Sequence, residues 1–216
     1  MREHAIVFDV GANRGDFSRR LLRSCGAKIA ELHLFEPSRF HARALGVLEQ
    51  DARVKVQYLA LGKQSGEAVL HSDQPGSAIA SLYKRRLDHF GTGLQQQESV
   101  RMVSLDDYVR DSRISHIDFL KLDVEGHEFA VLEGGRSTIA SITNAIQFEF
   151  GGANIDSRTY FQDFWYYFKD LGYSLAVISP ILGLCPIENY SEAYECFKTT
   201  NYLAYRPGGQ ARDPMR

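Results

Sequence analysis

An α/β fold, with seven strands in a mostly parallel sheet and helices on both faces, is what this 216-residue chain predicts. Three observations carry it. Short apolar runs alternate with stretches of helical period along the whole chain. The first run, Ala5-Ile6-Val7-Phe8, is continuous, which suits a strand buried on both faces as in a parallel sheet. Four of the runs finish on an acid, at Asp9, Glu36, Asp123 and Glu149, a recurrence that independent loops would not produce.

The first strand enters the turn Asp9-Val10-Gly11-Ala12-Asn13-Arg14-Gly15. Glycines let the backbone turn tightly and approach a ligand, here at a strand's carboxyl end, where open α/β sheets bind small molecules. The turn lacks the middle glycine of G-x-G-x-x-G, and Asp9 would repel a pyrophosphate. A zwitterion carrying an amine fits better, and S-adenosylmethionine is one. Phe17, Leu21 and Leu22 then repeat at helical spacing up to Gly26. A second strand over 32–35 delivers Glu36-Pro37 about twenty residues after the turn, where a nucleoside site places its ribose-binding acid. Glu36 would equally favour the positive end of a helix over 38–48.

The third strand, 54–59, ends in Ala60-Leu61-Gly62, small apolar residues suited to a flat purine. Residues 68–71 read as an extra strand and 72–99 as a long loop rich in Gly, Ser and Gln, of the kind that covers sites. Strand character resumes over 99–104, followed by a short helical turn over 105–109. The fourth strand, 117–122, brings Asp123, and Glu125, His127 and Glu128 crowd the helical turn after it. Acids suit a helix N-terminus, but a histidine there opposes the dipole, so binding or reaction accounts for the cluster better. Phe129 and Leu132 continue a helix to Gly134-Gly135, and the fifth strand, 145–150, carries Glu149 into Gly151-Gly152. Aromatic residues from Tyr160 to Phe168 recur at helical period, as core packing on a sheet. Strands six and seven follow over 174–178 and 201–205, with 179–198 reading as a cap over the crevice and 207–216 as a disordered tail.

Phe8-Asp9-Val10-Gly11-Ala12-Asn13-Arg14-Gly15, Phe35-Glu36-Pro37 and the run from Asp118 through Asp123-Val124-Glu125-Gly126-His127-Glu128 resemble the FkbM family of S-adenosylmethionine-dependent methyltransferases, over about residues 6–150. The resemblance implies the class I methyltransferase sheet, Rossmann-like and seven-stranded, with its last strand antiparallel. It implies O-methylation of a hydroxyl on a sugar, glycan or polyketide-type natural product, with S-adenosylhomocysteine as product. The implied cofactor residues are Asp9, Gly11, Ala12, Asn13, Gly15, Glu36, Pro37, Ala60, Leu61 and Asp123. Among them Asp9 and Gly11 would meet the methionine amine and carboxylate, Glu36 the ribose diol, Ala60 and Leu61 the adenine, and Asp123 the amine side. Arg14 stands where relatives often carry an apolar residue. A single domain is expected over 1–206, with a cofactor-binding half over 1–150, a substrate-selecting half over 151–206, and loops 72–99 and 179–198 inserted.

An alcohol acceptor must lose its proton, and the expected base is His127, oriented by Glu125 or Glu128, with Glu149 as an alternative. Mg²⁺ on Asp123 and Glu149 would be another route to deprotonation. Holding acceptor, methyl and sulfur in line supplies roughly 7–11 kcal/mol in such reactions. A formal charge of −2, with Lys84-Arg85-Arg86 as the only basic cluster, argues against nucleic acid as partner. Cys25, Cys185 and Cys196 form no C-x-x-C pair and read as reduced thiols, hence a cytoplasmic protein, and no run approaches the ~20 apolar residues of a membrane span. Two other readings stay open at this point: a nicotinamide-dependent oxidoreductase, disfavoured by Asp9 and the missing glycine, and a cofactor-binding module without turnover. Oligomeric state is not legible in the sequence.

Overall fold

The computed structural model describes residues 3–208. The chain order is β1 (Ala5–Val10), α1 (Asp16–Cys25), β2 (Ile29–Phe35), α2 (Ala42–Leu48), β3 (Val54–Gln57), β4 (Ala60–Gly62), β5 (Gly66–Ser72), β6 (Gln96–Ser104) and α3 (Leu105–Asp111). It continues with β7 (Ile117–Leu122), α4 (Glu128–Gly134), α5 (Arg136–Ile142), β8 (Thr143–Phe150), α6 (Ala153–Ser157), α7 (Phe161–Asp170), β9 (Ser174–Ser179), β10 (Gly183–Ile187) and β11 (Thr200–Tyr205).

The main sheet has eight strands rather than the expected seven, in the order β10-β9-β11-β8-β7-β1-β2-β3. Strands β3, β2, β1, β7 and β8 run parallel, and β11 lies antiparallel between β8 and β9. The additional strand, β10, forms a hairpin with β9 inside the segment read as a cap. It contains Pro186, which a strand tolerates at a sheet edge, where one row of backbone groups has no partner. A second sheet of three strands, β4-β6-β5, stands beside the first and shortens the expected 72–99 loop by starting β6 at Gln96. The first half of β6 is exposed on both faces, so no apolar alternation marks it in the sequence.

Two apolar layers hold the main sheet. On one face, Leu105, Val131, Leu132, Ile139 and the α7 aromatics Phe161, Phe164 and Phe168 pack on Phe8, Leu120 and Phe148. On the other, Phe17 and Leu21 of α1 and Leu45 and Leu48 of α2 cover Val7, Leu32, Leu34 and Phe119. That second layer thins towards the antiparallel end, where Ala145, Ile178, Leu184 and Tyr205 are only half-buried. Residues 209–216 of the expected disordered tail lie outside the described residues. Among the described residues no helix is long and apolar enough to cross a membrane.

Candidate active site

Parallel pairing of β1 with β7, Val10 opposite Leu122, brings their two following turns together, and Asp123 N–H donates to the Val10 carbonyl at 3.1 Å. Gly11 sits at φ +78°, and a Cβ there would collide with the Asp123 carbonyl, so this crossing of turns demands glycine. Gly11 and Ala12 N–H groups both donate to the Phe35 carbonyl at 3.0 Å, tying the first turn to the end of β2. After β7, Gly126 at φ +99° lies against Ala153, so the Glu125–His127 turn is pressed onto the start of α6.

These turns enclose a cavity of about 410 Å³ lined by Gly11, Asn13, Glu36, Pro37, Ala60, Leu61, Asp123, Glu125, His127 and Glu149, and roofed by Ser77, Ala78, Ala80 and Leu82. Glu36 is 8% exposed and accepts from the Asn13 N–H at 2.9 Å and the Ser38 N–H at 3.0 Å. Burial lifts its pKa, against the pull of those two backbone donors. Ala60 and Leu61 of β4 floor the cavity beside it.

Asp9 does not line this cavity, contrary to its expected contact with the methionine amine. It is fully buried, and its carboxylate accepts from Ser18 Oγ at 2.7 Å and Lys121 Nζ at 3.2 Å. A buried carboxylate needs such partners, and Asp9 finds them inside the protein. Ala12 lines a different cavity, on the α1 side. Gly15, also expected at the cofactor, lines neither and packs instead against Leu45 and Leu48 of α2.

Lys121 is the residue that sequence reasoning missed. It lies in the middle of an apolar strand, 7% exposed, and bridges Asp9 to Asp123 Oδ2 at 3.2 Å. Burial opposes its charge, but the two carboxylates outweigh burial and raise its pKa above the ordinary lysine value. Arg85, one of the basic cluster Lys84-Arg85-Arg86, reaches Glu125 with Nη1 at 2.6 Å and Asp156 with Nε at 3.6 Å. Ser81 Oγ donates to the Glu125 carbonyl at 2.7 Å.

Asp123, Glu125 and Glu149 each present a carboxylate oxygen within 4.8 Å of the others. Burial raises Glu149 to about 7, helped by the charges of Asp123 and Glu125. Burial also raises Glu125, with Arg85 opposing. His127 lines the same cavity with both ring nitrogens buried and unpartnered among the described residues, and burial lowers its pKa to about 4. It stands on the β4 side, close to Gly62 and 5.4 Å from the Tyr83 ring. Glu128 turns inward: Oε1 accepts from the N–H groups of Val124 (2.8 Å) and Gly126 (3.3 Å), while burial pushes its pKa up to about 8.

The arrangement can hold a nucleoside by a diol and a flat base, with surplus negative charge at one end. Residues 9–175 match the family described as the methyltransferase FkbM domain. The chain is 26% identical over 144 residues to the 2-O-methyltransferase NoeI of Sinorhizobium fredii (strain NBRC 101917 / NGR234), an alignment covering 62% of this chain and 58% of that protein. It thus spans little more than half the length of that relative. The crystal structure of methyltransferase FkbM from Methylobacillus flagellatus KT superposes with a TM-score of 0.57 at 16% identity, over 94% of this chain and 44% of that one, and so shares the fold. With a match that takes in both acidic turns and strands β2, β3, β7 and β8 of the main sheet, the chain belongs to the FkbM methyltransferase family.

Proposed function

We propose that the protein is an S-adenosylmethionine-dependent O-methyltransferase acting on a hydroxyl of a sugar, glycan or related natural product. The observation that carries this reading is the charge balance of the cavity. Three carboxylates, Asp123, Glu125 and Glu149, face the two cations Lys121 and Arg85, which are themselves shared with Asp9 and Asp156. The excess suits a cationic ligand, and Glu36 at the opposite side suits a diol. The name of the relative NoeI specifies transfer to oxygen.

The residues present fit the cofactor. Glu36 keeps lone pairs beyond its two backbone donors for the ribose hydroxyls, and Ala60, Leu61 and the unpartnered nitrogens of His127 offer a flat apolar floor with hydrogen-bonding capacity for adenine. Asp123 takes the ammonium that Asp9 was expected to hold. Bound there, the cofactor supplies a methyl group already activated on a sulfonium. The protein's task is to hold the acceptor oxygen in line and take its proton. Glu149, raised to about 7, is the better base than His127, because a conjugate acid near 4 makes the imidazole too weak to accept an alcohol proton at neutral pH. A Mg²⁺ route, expected on Asp123 and Glu149, is not carried forward, since Lys121 and Arg85 already pair with Asp123 and Glu125.

Calorimetric titration with S-adenosylhomocysteine tests the reading. Binding in the micromolar range is expected, and at least tenfold weaker in Glu36→Ala. Equal affinity in Glu36→Ala removes the ribose assignment, and absence of binding removes the cofactor.

A further inference from the structure

A second and larger cavity, about 770 Å³, opens on the α1 face of the sheet and shares Gly11, Asn13 and Asp123 with the first. Its floor is set by strand register. Lys121 on β7 pairs with Gln147 on β8, and Glu149 on β8 pairs with Asn201 on β11. Directly opposed residues point to the same face, so Lys121, Gln147, Glu149 and Asn201 stand together on the α1 side. Glu149 lines the first cavity and its cross-strand partner Asn201 the second, so the two spaces meet at that pair. We propose that this second cavity is the acceptor site, that it takes a sugar ring, and that Gln147, Asn201 and Phe17 select it; the proposal rests on the methyltransferase reading above.

The lining has the two kinds of surface a sugar ring presents. Phe17 and Phe119 are stacked with centroids 6.3 Å apart and planes 18° apart, with Lys121 Nζ 5.4 Å from the Phe17 centroid, and Leu21 extends this apolar wall. Such a wall meets the C–H face of a ring. Across from it, Gln147 Nε2 donates to Asn201 Oδ1 at 2.9 Å, the only side-chain hydrogen bond either residue makes among the described residues. Locked together, the two amides still present the Gln147 carbonyl as acceptor and the Asn201 NH₂ as donor. Neighbouring hydroxyls on a ring, each both donor and acceptor, match that alternation. Lys121 spends two of its three N–H donors on Asp9 and Asp123 and has a third for a ring hydroxyl. The volume lies within the roughly 300–1,000 Å³ of ordinary ligand sites, whereas the first cavity is filled by a nucleoside.

A ring so placed points a hydroxyl at the junction. Its oxygen forms the new C–O bond to the methyl carbon as the C–S bond breaks with its electron pair going to sulfur, and the hydroxyl proton passes to the Glu149 carboxylate.

Saturation-transfer NMR decides the matter, with S-adenosylhomocysteine bound and a panel of methyl glycosides of glucose, galactose, mannose, fucose and rhamnose as probes. At least one glycoside should take up saturation, with the signal reduced fivefold or more in Gln147→Ala and in Leu21→Trp, which fills the cavity from the α1 side. Calorimetric affinity for S-adenosylhomocysteine should stay within about twofold in both. Glycoside signals indifferent to both substitutions, or absent across the panel while S-adenosylhomocysteine binds normally, overturn the proposal. Failure of S-adenosylhomocysteine to bind the unmodified protein overturns the cofactor reading and this proposal with it.

Discussion

Glu149 of β8 and Glu128 of α4 are two carboxyls raised by burial and suited to different ends. Glu149 faces the cavity, and ionising it is what a base must do. kcat/KM should therefore rise with pH through a midpoint near 7, the value burial and its acidic neighbours give it. Glu149→Gln should remove that limb and lower kcat by roughly 10²-fold with affinity for S-adenosylhomocysteine retained, and EDTA should leave the wild-type rate unchanged. Inhibition by EDTA would instead put a metal on these carboxylates. Glu128 is 1% exposed and Oε2 has no partner among the described residues, so its raised pKa of about 8 is a matter of stability. Its folded value lies above its unfolded one, so its contribution is full below the ordinary 4.5 and is lost as pH rises through 8. Glu128→Gln keeps the acceptor for Val124 and Gly126 and should raise the melting temperature by roughly 5 °C at pH 8 and hardly at all at pH 5. Equal shifts at both pH values would show Glu128 ionised in the native state. At this scale the acids on the strand ends were readable from sequence, but their roles were not. Asp9 looked like a ligand because its partner, Lys121, is 112 residues away, and only the β1–β7 pairing reveals that the two form a buried ion pair.

Elements were legible where one face is buried and one kind of period prevails. β1, β7 and β8 announce themselves by apolar runs, and α7 by its aromatic stripe, because all pack against the same core. β10 and the first half of β6 did not, since an edge strand and a stretch paired on one side only bury little and their residues carry turn or polar signals. The segment over 77–86 is the functional case. Read as an irregular loop, it is a strap pinned by Ser81 to the His71 backbone (2.8 and 2.9 Å) and to the Glu125 carbonyl, and by Arg85 to Glu125 and Asp156. Arg85 has a side chain only 10% exposed, so its removal leaves two carboxylates without their cation beside Glu149. Arg85→Met should raise amide exchange over 77–86 and weaken S-adenosylhomocysteine binding about tenfold, and adding Glu125→Gln should recover part of both. Unchanged exchange in Arg85→Met would mean that the backbone contacts of Ser81 alone hold the strap.

For the molecule as a whole, the charges brought together from β1, β7, β8 and the strap predict how it tells its cofactor from its product. S-adenosylmethionine carries a sulfonium, and S-adenosylhomocysteine a neutral thioether, so the two differ by one positive charge at the junction of the cavities. Lys121 is shared between Asp9 and Asp123, and Arg85 between Glu125 and Asp156, so the site is already short of cations while Glu149 is protonated. Above pH 7 Glu149 ionises and adds a further unmatched negative charge, which strengthens the preference for the sulfonium. Binding of S-adenosylmethionine must then lower the pKa of Glu149, so near neutrality it expels a proton that binding of the product does not. The affinity ratio of cofactor to product should therefore increase between pH 6 and pH 8. Calorimetry in phosphate and in Tris, buffers with different ionisation heats, should show proton release for S-adenosylmethionine alone. In Glu149→Gln both the pH dependence of the ratio and the proton release should vanish, while each ligand at a hundredfold excess over its Kd still stabilises the fold by about 2.7 kcal/mol. A ratio that is flat with pH in the wild type would place the sulfonium away from Glu149 and return the base to another residue of the cavity.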